Sequence, residues 1–433
     1  MGLLFFPRGG SSHVARNLAT SLPLTGWNTT ILSGSITEAD TFGDAARFYR
    51  GLDVRPVDMT RALHSPDPMA ADPPLHPSYE ERENAPDRIF ASLDDAEAEH
   101  QVTAWAKALQ SAGAAHADVL HLHHLTPLYE AAARVAPRVP VVGHLHGTEL
   151  LMLEAIEHDP YRWPHGEAWA ERMRTWAEQA QRLIVLTETA CDRAAHVLGI
   201  DVAKCATVPN GFNPDRFGVH PVDRVEVLGR LGVEIDEDTP VLLYVGRFTE
   251  VKRIPLLIEA YERARPGFYQ RAPLVIVGGF PNEFEGERPQ DAIARTGARD
   301  VHLTGWHDHE ELPEILAACD TLVLPSVKEQ FGQVIVEAMA CGRPAIAVDA
   351  YGPAEIIDHG ETGWLVEPDD VASLANALVE VVNRPAERRR RGANAARVAH
   401  ARYTWPALAE RVAEIYGDAV DARSLRENAA LSG

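Results

Sequence analysis

Hydrophobic and polar positions along the chain follow two alternating patterns. Short runs rich in Val, Ile and Leu are each followed by Gly, Pro or a polar cluster, and then by a longer, Ala-rich amphipathic segment. This alternation is typical of βαβ units with parallel strands. The runs that predict strands lie at 3–6, 29–32, 118–123, 139–144 and 183–186, and then at 241–245, 274–277, 301–303, 321–324 and 345–348.

These two series predict two doubly wound α/β halves. The turn sequence Pro209-Asn210-Gly211 and the later Pro240 bracket the predicted hinge between them. A helical spacing of apolar residues over 405–420 predicts a C-terminal helix. The preceding basic run, 388–391, is interpreted as a solvated helix end near a favourable C-terminal dipole.

Composition narrows the class of protein. The 433 residues carry a formal net charge of −22. Such a charge disfavours binding along a nucleic acid backbone or on an anionic membrane surface. One local pocket could still hold a phosphate. The four cysteines are far apart and form no C-x-x-C pair, so zinc-ribbon, redox and disulfide frameworks are poorly supported. No signal peptide or transmembrane helix is predicted, and we expect a cytoplasmic protein.

The segment 55–100 departs from the alternating rhythm. It holds seven prolines, eleven acidic and four basic residues, and shows little periodicity until near its end. A loop of that length inside a domain is usually functional or mobile. We hypothesise that it covers or selects an acceptor.

Two glycine-containing turns could bind phosphate. FFPRGGSSHVARNLA predicts a strand, a glycine loop and a helix start, where backbone N–H groups favour an anion; a tight turn with no ligand is the alternative. In LYVGRFTEVKR, Arg247 and Lys252 follow a predicted strand and could converge on one diphosphate. An ordinary exposed loop pair is the alternative there.

The block SVKEQFGQVIVEAMACGRPAIA, at 326–347, carries the most specific pattern. Glu329 stands before a helix predicted to begin near Gly332, and Glu337 follows eight residues later. Carboxylates suit hydrogen bonding to paired sugar hydroxyls, and backbone amides at the helix start would face a bound ligand. The alternative is a capping carboxylate at 329 and a solvated Glu337.

Histidines cluster at two predicted strand ends, in HLHH at 121–124 and in GHLHGTEL at 143–150. Zinc binding, simple packing or capping, and an active-site role for His146 are the three interpretations. Neither an Asp-x-Asp metal bridge nor a G-x-S-x-G nucleophile elbow is present in a supporting context.

Together the 326–347 block, the GRFTEVK loop, PNGFNPDRF and the run TGWHDHEELPEILAACDTLVLPS resemble the retaining glycosyltransferases of family 4, which have the GT-B fold. The resemblance covers the second half and, more loosely, the first half through the glycine loop and HGTEL. It implies an acceptor-binding Rossmann-like domain at 1–212, a nucleotide-sugar domain at 213–400 facing it across a cleft, and a helix at 401–433 that crosses back to the first domain.

The resemblance also implies roles for particular residues. Arg247 and Lys252 would hold the donor diphosphate and stabilise the leaving group, Glu329 would bind the donor sugar, and Glu337 would bind the ribose hydroxyls. Gly10 would approach the diphosphate, and His146 would line the sugar end. The catalytic residues are thus expected to be His146, Arg247, Lys252 and Glu329, and the donor-binding residues Gly10, Arg247, Lys252, Glu329, Phe331, Gly332, Gln333, Val334 and Glu337.

The implied reaction is same-face transfer from a UDP-sugar to a hydroxyl of a small soluble acceptor, without metal or cofactor, and with domain closure gating turnover. Two departures from the family pattern stand out. Arg253 occupies a position where the family commonly has Gly, and Arg8 adds a charge to the first loop. Donor base and sugar, acceptor, linkage and oligomeric state stay open.

Other functions remain as alternatives. Within the GT-B fold these are a sugar-nucleotide epimerase and a disaccharide synthase or phosphorylase. A catalytically inactive sugar-nucleotide-binding protein is the alternative from another class. A membrane glycolipid enzyme is disfavoured by the acidic 55–100 segment.

Overall fold

The computed structural model describes residues 1–7, 9–38, 43–81, 85–279 and 284–432, with side chains up to 425. The chain divides into two compact units. The first comprises Met1–Pro209 and the chain from Pro406 onwards, and the second comprises Asn210–Trp405. Arg8, which sequence analysis singled out, lies outside the described residues.

The first unit is built on a seven-stranded parallel sheet in the order β3-β2-β1-β4-β5-β6-β7. Its strands are β1 (Gly2–Leu3), β2 (Thr30–Ser35), β3 (Asp53–Asp58), β4 (Leu120–His123), β5 (Val141–His144), β6 (Arg182–Val185) and β7 (Cys205–Thr207). Its helices up to residue 198 are α1 (Gly10–Ser21), α2 (Ala45–Phe48), α3 (Thr60–Leu63), α4 (Asp95–Ser111), α5 (Leu128–Val135), α6 (Thr148–His158), α7 (Gly166–Gln179) and α8 (Glu188–Leu198).

The second unit has a six-stranded parallel sheet in the order β10-β9-β8-β11-β12-β13. Its strands are β8 (Leu242–Gly246), β9 (Leu274–Gly278), β10 (Val301–Gly305), β11 (Thr321–Leu324), β12 (Ala345–Val348) and β13 (Gly363–Val366). The helices are α9 (Arg224–Arg230), α10 (Ile254–Ala264), α11 (Pro289–Thr296), α12 (Leu312–Ala318), α13 (Gln333–Ala340), α14 (Tyr351–Ile356), α15 (Val371–Asn383) and α16 (Pro385–Arg402); α17 (Trp405–Ser432) then returns the chain to the first unit.

The prediction of two doubly wound parallel sheets is confirmed. In each sheet the first strand lies inside, and the chain winds first to one side and then to the other. The central strands are apolar runs buried on both faces, as parallel sheets covered by helices require. The neighbouring strands β1 and β4, and likewise β8 and β11, mark the points where strand order reverses, and ligands of such folds bind at the carboxyl ends of strands there.

Sequence analysis missed three strands at or near sheet edges, β3, β7 and β13. In β3 the residues are mostly exposed, and Pro56 interrupts the pattern, so no alternation marks the strand. Such a proline is tolerated at a sheet edge because one side of the strand has no partner.

The interpretation of 55–100 as a long loop is also corrected in part. Besides β3, the segment contains α3 and the start of α4, where Asp94 and Glu97 form a capping box. Several of its apolar side chains belong to the core of the first unit, namely Met59, Met69, Leu75, Ile89, Phe90 and Leu93. The segment therefore helps to hold the first unit together.

The basic run at 388–391 was wrongly interpreted as a solvated helix end. It lies early in α16, and Arg388 and Arg391 are buried. Arg391 stacks 3.9 Å above the ring of Trp364 and donates a hydrogen bond to the carbonyl of Gly363, and Arg388 donates to the carbonyl of Val381. These guanidinium groups join α16 to β13 and α15.

Among the described residues, no helix is both long enough and apolar enough to cross a membrane. The four cysteines are all free thiols.

Candidate active site

In the second unit, the two loops that carry the predicted donor residues leave the adjacent strands β8 and β11. They are joined by a hydrogen bond from the amide of Val327 to the carbonyl of Val251 (3.0 Å). The buried Tyr244 donates its hydroxyl to the carbonyl of Arg247 (2.9 Å), which shapes the turn after β8 and leaves the Arg247 side chain exposed. Burial raises the pKa of Tyr244, so this hydroxyl stays a donor.

Lys252 and Glu329, one on each loop, form an ion pair between Nζ and Oε2. Their side chains are 19% and 16% exposed, so the pair is largely shielded from water. A shielded pair of this kind needs further hydrogen bonds to offset the desolvation of both charges. An ammonium group has three N–H donors, so Lys252 can keep Glu329 and still donate to another anion.

Arg253 adopts a left-handed backbone conformation, with φ 54° and ψ 35°. Glycine favours this conformation, which gives a physical reason for the glycine that the resemblance implies at this position. The Arg253 side chain offsets the strain by pairing with Asp369 in a two-pronged contact, Nε to Oδ1 at 2.6 Å and Nη2 to Oδ2 at 3.2 Å. The departure at 253 therefore keeps the backbone shape of the turn that begins α10.

The start of α13 lies at the end of the β11 loop. Gly332, with φ 100°, is its N-cap, and an added Cβ there would come within 2.8 Å of the Ile335 side chain. Gly352 packs so closely that a Cβ would lie 2.2 Å from the carbonyl oxygen of Phe331. The first N–H groups of a helix have no partner within the helix and favour anions, so the amides of Gln333 and Val334 are suited to an anion.

Glu337 lies one turn further along α13, with its side chain only 4% exposed. Its Oε1 accepts hydrogen bonds from His309 Nε2 (3.0 Å) and Gln333 Nε2 (3.1 Å), and Gln333 Nε2 also donates to the carbonyl of Gly211 (2.8 Å). The alternative of a solvated Glu337 is therefore wrong. A buried carboxylate needs such partners because its desolvation is otherwise unfavourable.

In the first unit, the glycine loop leads directly into α1. Gly9 is the N-cap and provides no side-chain cap, and Gly10 is the first helical residue. A Cβ added at either glycine would meet none of the described atoms within 4 Å. The described atoms thus leave room for a side chain at both positions.

Four imidazole rings lie stacked along β4, β5 and the turn that follows β5. Neighbouring ring centroids are 4.5–5.3 Å apart with interplanar angles of 11–22°. Three of the rings are buried, and His146 is the partly exposed member. At the inner end, His121 Nδ1 lies 2.5 Å from the hydroxyl of Tyr416 on α17. The stack comprises His121, His123, His144 and His146.

Burial lowers the pKa of all four rings, that of His144 to about 3, so all are neutral at pH 7. His123 Nδ1 lies 3.0 Å from His146 Nε2, while His123 Nε2 is buried with no partner among the described residues. A buried N–H without an acceptor is rarer than a bare lone pair, so we assign the His123 proton to Nδ1. His146 then carries its proton on Nδ1 and is a hydrogen-bond donor.

A buried carboxylate, Glu149 on α6, supports the outer end of this stack. Its Oε1 accepts from the amide of His146 (3.0 Å), and its Oε2 lies 3.3 Å from His124 Nδ1. Burial alone would raise the pKa of Glu149, but the neighbouring His124 and the backbone donors outweigh it, so the pKa lies below its ordinary value. Glu149 is thus an anion that fixes the turn carrying His146.

His121, His123 and His144 offer nitrogen atoms that all lie within 4.8 Å of one another. Imidazole lone pairs lie in the ring plane, and these three planes are nearly parallel, so the lone pairs do not converge as tetrahedral zinc requires. Turning the rings would break the contact of His121 with His144 (3.2 Å) and that with Tyr416. The geometry favours the packing interpretation for these three.

Comparison with known proteins decides the family. Residues 231–398 match the family model for glycosyl transferases group 1, and residues 8–216 match glycosyltransferase family 4. The D-inositol 3-phosphate glycosyltransferase of Actinosynnema mirum is 31% identical over 351 residues, which are 77% of this chain and 81% of that protein. The chain belongs to the group 1 glycosyltransferases of family 4.

Other relatives of this glycosyltransferase include the alpha-D-kanosaminyltransferase of Streptomyces kanamyceticus, 32% identical over 64% of this chain and 70% of that protein. Solved structures share its fold. Sucrose-phosphate synthase from Thermosynechococcus elongatus matches with a TM-score of 0.71 and 21% identity over 97% of this chain and 99% of that one. Anabaena HepE in complex with UDP-glucose matches with a TM-score of 0.67 and 22% identity over 96% and 100%. The predicted two-domain GT-B fold is confirmed.

Within the glycosyltransferase, the second unit gathers the predicted donor residues at its β8–β11 switch, and the first unit places Gly10 and His146 at the ends of its own central strands. Their roles stay predictions. Sequence analysis missed the side-chain contacts of His309, Gln333 and Glu149. The four-residue spacing of Gln333 and Glu337 on one helix face was the available signal for that pair.

Proposed function

We propose that this glycosyltransferase moves a sugar from a UDP-sugar to a hydroxyl group of a small polar acceptor, with retention of anomeric configuration and without a metal ion. The observation that carries the proposal is the set of groups at the β8–β11 switch. It combines two cations, two carboxylates and an open helix start, which together suit a nucleoside diphosphate sugar.

The diphosphate is assigned to Arg247, Lys252 and the start of α13. Arg247 provides an exposed planar fork for two phosphate oxygens, and Lys252 a point charge. The amides from Phe331 to Val334 add oriented dipoles. Because these protein groups can stabilise the negative charge of the departing diphosphate, we assign no metal ion to the reaction.

The two carboxylates are assigned to different hydroxyl groups of the donor. Glu329, held by Lys252, binds hydroxyls of the transferred sugar, and Glu337 binds those of the ribose. Uracil is proposed because UDP is the commonest donor nucleotide in the family, and the HepE structures contain UDP, UDP with glucose, or UDP-glucose.

The first unit is assigned to the acceptor and to neutral contacts. Gly10 offers a backbone amide to an anionic oxygen, and His146 a neutral N–H to a sugar hydroxyl. Relatives act on D-inositol 3-phosphate by name. A cyclitol, a small sugar or their phosphate esters are the acceptors we propose.

Acceptor choice is assigned in part to the segment 55–100. His76 packs its ring 5.0 Å from that of Phe5, and Tyr79 stacks 5.6 Å from His124, both near the ends of central strands. Deleting the stretch would remove core side chains, so a point substitution is the better test. In His76→Phe, which keeps the ring contact, we expect the ratio of kcat/KM between two acceptors to change; an unchanged ratio would refute this role.

In the proposed reaction, the bond between the sugar C1 and the diphosphate oxygen breaks as the acceptor oxygen bonds to C1 on the same face. The acceptor proton passes to the departing diphosphate oxygen, so charge and atoms balance. Because Glu329 is paired with Lys252, we assign it to sugar contact and not to a covalent intermediate. Catalysis then rests on positioning and on electrostatic stabilisation of the leaving group.

The test is product analysis with UDP-glucose and a panel of cyclitols and sugars, in the presence of EDTA. We expect UDP release that depends on the acceptor, and a product with the donor's anomeric configuration by NMR. Glu329→Gln should abolish most of the release, whereas Lys328→Ala, an exposed charge on the same loop, should not. UDP release without acceptor and with a changed sugar would favour the epimerase alternative.

A further inference from the structure

Glu337 is held differently from the other carboxylate of its block. Glu329 is paired with a lysine, whereas the side chains bonded to Glu337 are a histidine and an amide. Within the described parts of the chain, no Lys or Arg side chain lies within 4 Å of the Glu337 carboxylate. Glu337 therefore keeps its acceptor strength although it is almost entirely buried.

Both donors to Glu337 converge on one oxygen. His309 Nε2 and Gln333 Nε2 lie 3.0 and 3.1 Å from Oε1, and the carboxylate can only accept, so His309 carries a proton on Nε2. Oε2 has no hydrogen-bond partner among the described residues. Two donors on one oxygen fix the plane of the carboxylate and direct the other oxygen to a further donor.

His309 is itself held by the segment 211–217. Arg216 Nη2 donates to the carbonyl of His309 (2.9 Å), and the Phe217 ring packs 5.6 Å from the imidazole. Gln333 is anchored by the carbonyl of Gly211 from the same segment. The PNGFNPDRF sequence thus holds both donors. Its beginning, at Gly211, holds Gln333, and its end, at Arg216 and Phe217, holds His309.

We propose that His309 and Gln333 are positioning residues that determine ribose specificity, by aligning Glu337 Oε2 with a hydroxyl of the donor ribose. The proposal rests on the proposed function, because it takes the ribose contact of Glu337 from there. A carboxylate fixed in this way binds a ribose hydroxyl strongly and disfavours a sugar ring that lacks it, because the bound nucleotide would then leave Oε2 without a donor.

The experiment compares the affinities of the protein for UDP, 2′-deoxy-UDP and 3′-deoxy-UDP by calorimetry. The two deoxy analogues show which ribose hydroxyl contacts Glu337. We expect the wild type to prefer UDP over one deoxy analogue by about tenfold or more. His309→Phe keeps the packing on Phe217 but removes the donor, and should reduce this preference severalfold. His309→Gln restores an N–H donor and should recover part of it.

His307→Phe is the matched control. His307 lies on the same loop but its Nδ1 contacts Glu311 (3.3 Å), not Glu337, so the preference for UDP should stay as in the wild type. Gln333→Leu removes the other donor and gives a second test if His309→Phe fails to fold. A purely structural role would change the stability of the variants without changing the ratio of the two affinities.

The outcomes separate the two proposals. If the wild type does not distinguish UDP from either deoxy analogue, Glu337 does not read the ribose, and the donor assignment fails together with this inference. If Glu337→Ala loses the preference while His309→Phe and Gln333→Leu retain it, the donor assignment stands and this inference is overturned. Equal loss in His309→Phe and His307→Phe would also overturn it.

Discussion

The two points where strand order reverses, β1–β4 in the first unit and β8–β11 in the second, are called switches here. They differ in the charge of the side chains around them. At the switch of the second unit, Arg247 is exposed and Lys252 is paired with Glu329. At that of the first unit, neutral imidazoles are stacked, and the charged Glu149 is fully buried beneath them. The same topology therefore places charged side chains near the surface at one switch and neutral imidazole rings at the other.

The difference follows from the side chains that end the strands. Binding a diphosphate removes water from its charged oxygens, which is unfavourable. Charge-assisted hydrogen bonds from lysine and arginine compensate for that loss. His146, the partly exposed ring of the stack, has a pKa that burial has lowered and offers a hydrogen bond without charge, which suits a hydroxyl group. This contrast agrees with the proposed assignment of the acceptor hydroxyl to the first unit and of the donor diphosphate to the second.

The largest expected effect removes the charge of the second switch. In the Arg247→Ala, Lys252→Ala double variant, we expect kcat/KM to fall by about 100-fold or more, because the leaving group loses its cations. Steady-state kinetics measures this, with Lys328→Ala as the control for charge on a neighbouring loop. A near-wild-type kcat/KM in the double variant would contradict the assignment of the leaving group to the charged switch of the second unit.

The neutral histidines should make folding pH-dependent. Their folded-state pKa values lie below the ordinary value of about 6.5, so the unfolded chain binds more protons as the pH falls. The free energy of unfolding is therefore not reduced by these histidines near pH 7. Below about pH 6.5 it decreases, by up to about 1.4 kcal/mol per pH unit for each histidine.

Denaturant unfolding between pH 7 and 4.5 checks this dependence. His144→Phe should unfold with a shallower pH slope than the wild type, because one depressed pKa is removed. His116→Gln, at an exposed position, should keep the wild-type slope. Equal slopes in all three proteins would mean that the stack is not neutral.

The tautomer of His146 gives a smaller effect. If Nδ1 carries the donor proton, an asparagine amide can reach the same position and a glutamine amide cannot. We expect His146→Asn to retain activity about tenfold better than His146→Gln, which corresponds to one hydrogen bond. The reverse order would place the proton on Nε2 and make His146 an acceptor.

The smallest effect concerns the turn after Lys252. Arg253→Gly should change the free energy of unfolding by less than about 1 kcal/mol, because relief of the left-handed strain offsets the lost pair with Asp369. Arg253→Ala loses the pair and keeps the strain, so it should be about 1 kcal/mol less stable than Arg253→Gly. Thermal unfolding of the two variants checks the order.

Local patterns were sufficient for the inner strands of both sheets and for placing the loops that carry the predicted donor residues. The buried strands β8, β9, β11 and β12 are continuous apolar runs, and the residues after them follow from chain order. The edge strand β3 has no such pattern, because one of its sides has no neighbour. Contacts between distant residues, such as His309 with Glu337, depend on how loops approach each other, which no spacing encodes.

Buried charge was the least predictable feature. The arginines at 388–391 have the composition of a solvated face, yet two of them are buried against Trp364, Gly363 and Val381. Their burial is decided by acceptors that other strands and helices provide. In the same way, only the fold shows that Glu337 is shielded, whereas its sequence context predicted only that it belongs to a binding motif.

The most direct test of the charged switch is calorimetric titration of UDP in the presence of EDTA. We expect the wild type and Lys328→Ala to bind UDP equally well, and Arg247→Ala and Glu337→Ala to bind it about tenfold more weakly or worse. If the wild type does not bind UDP without metal, or if the two site variants bind it as the wild type does, the β8–β11 switch is not the donor site.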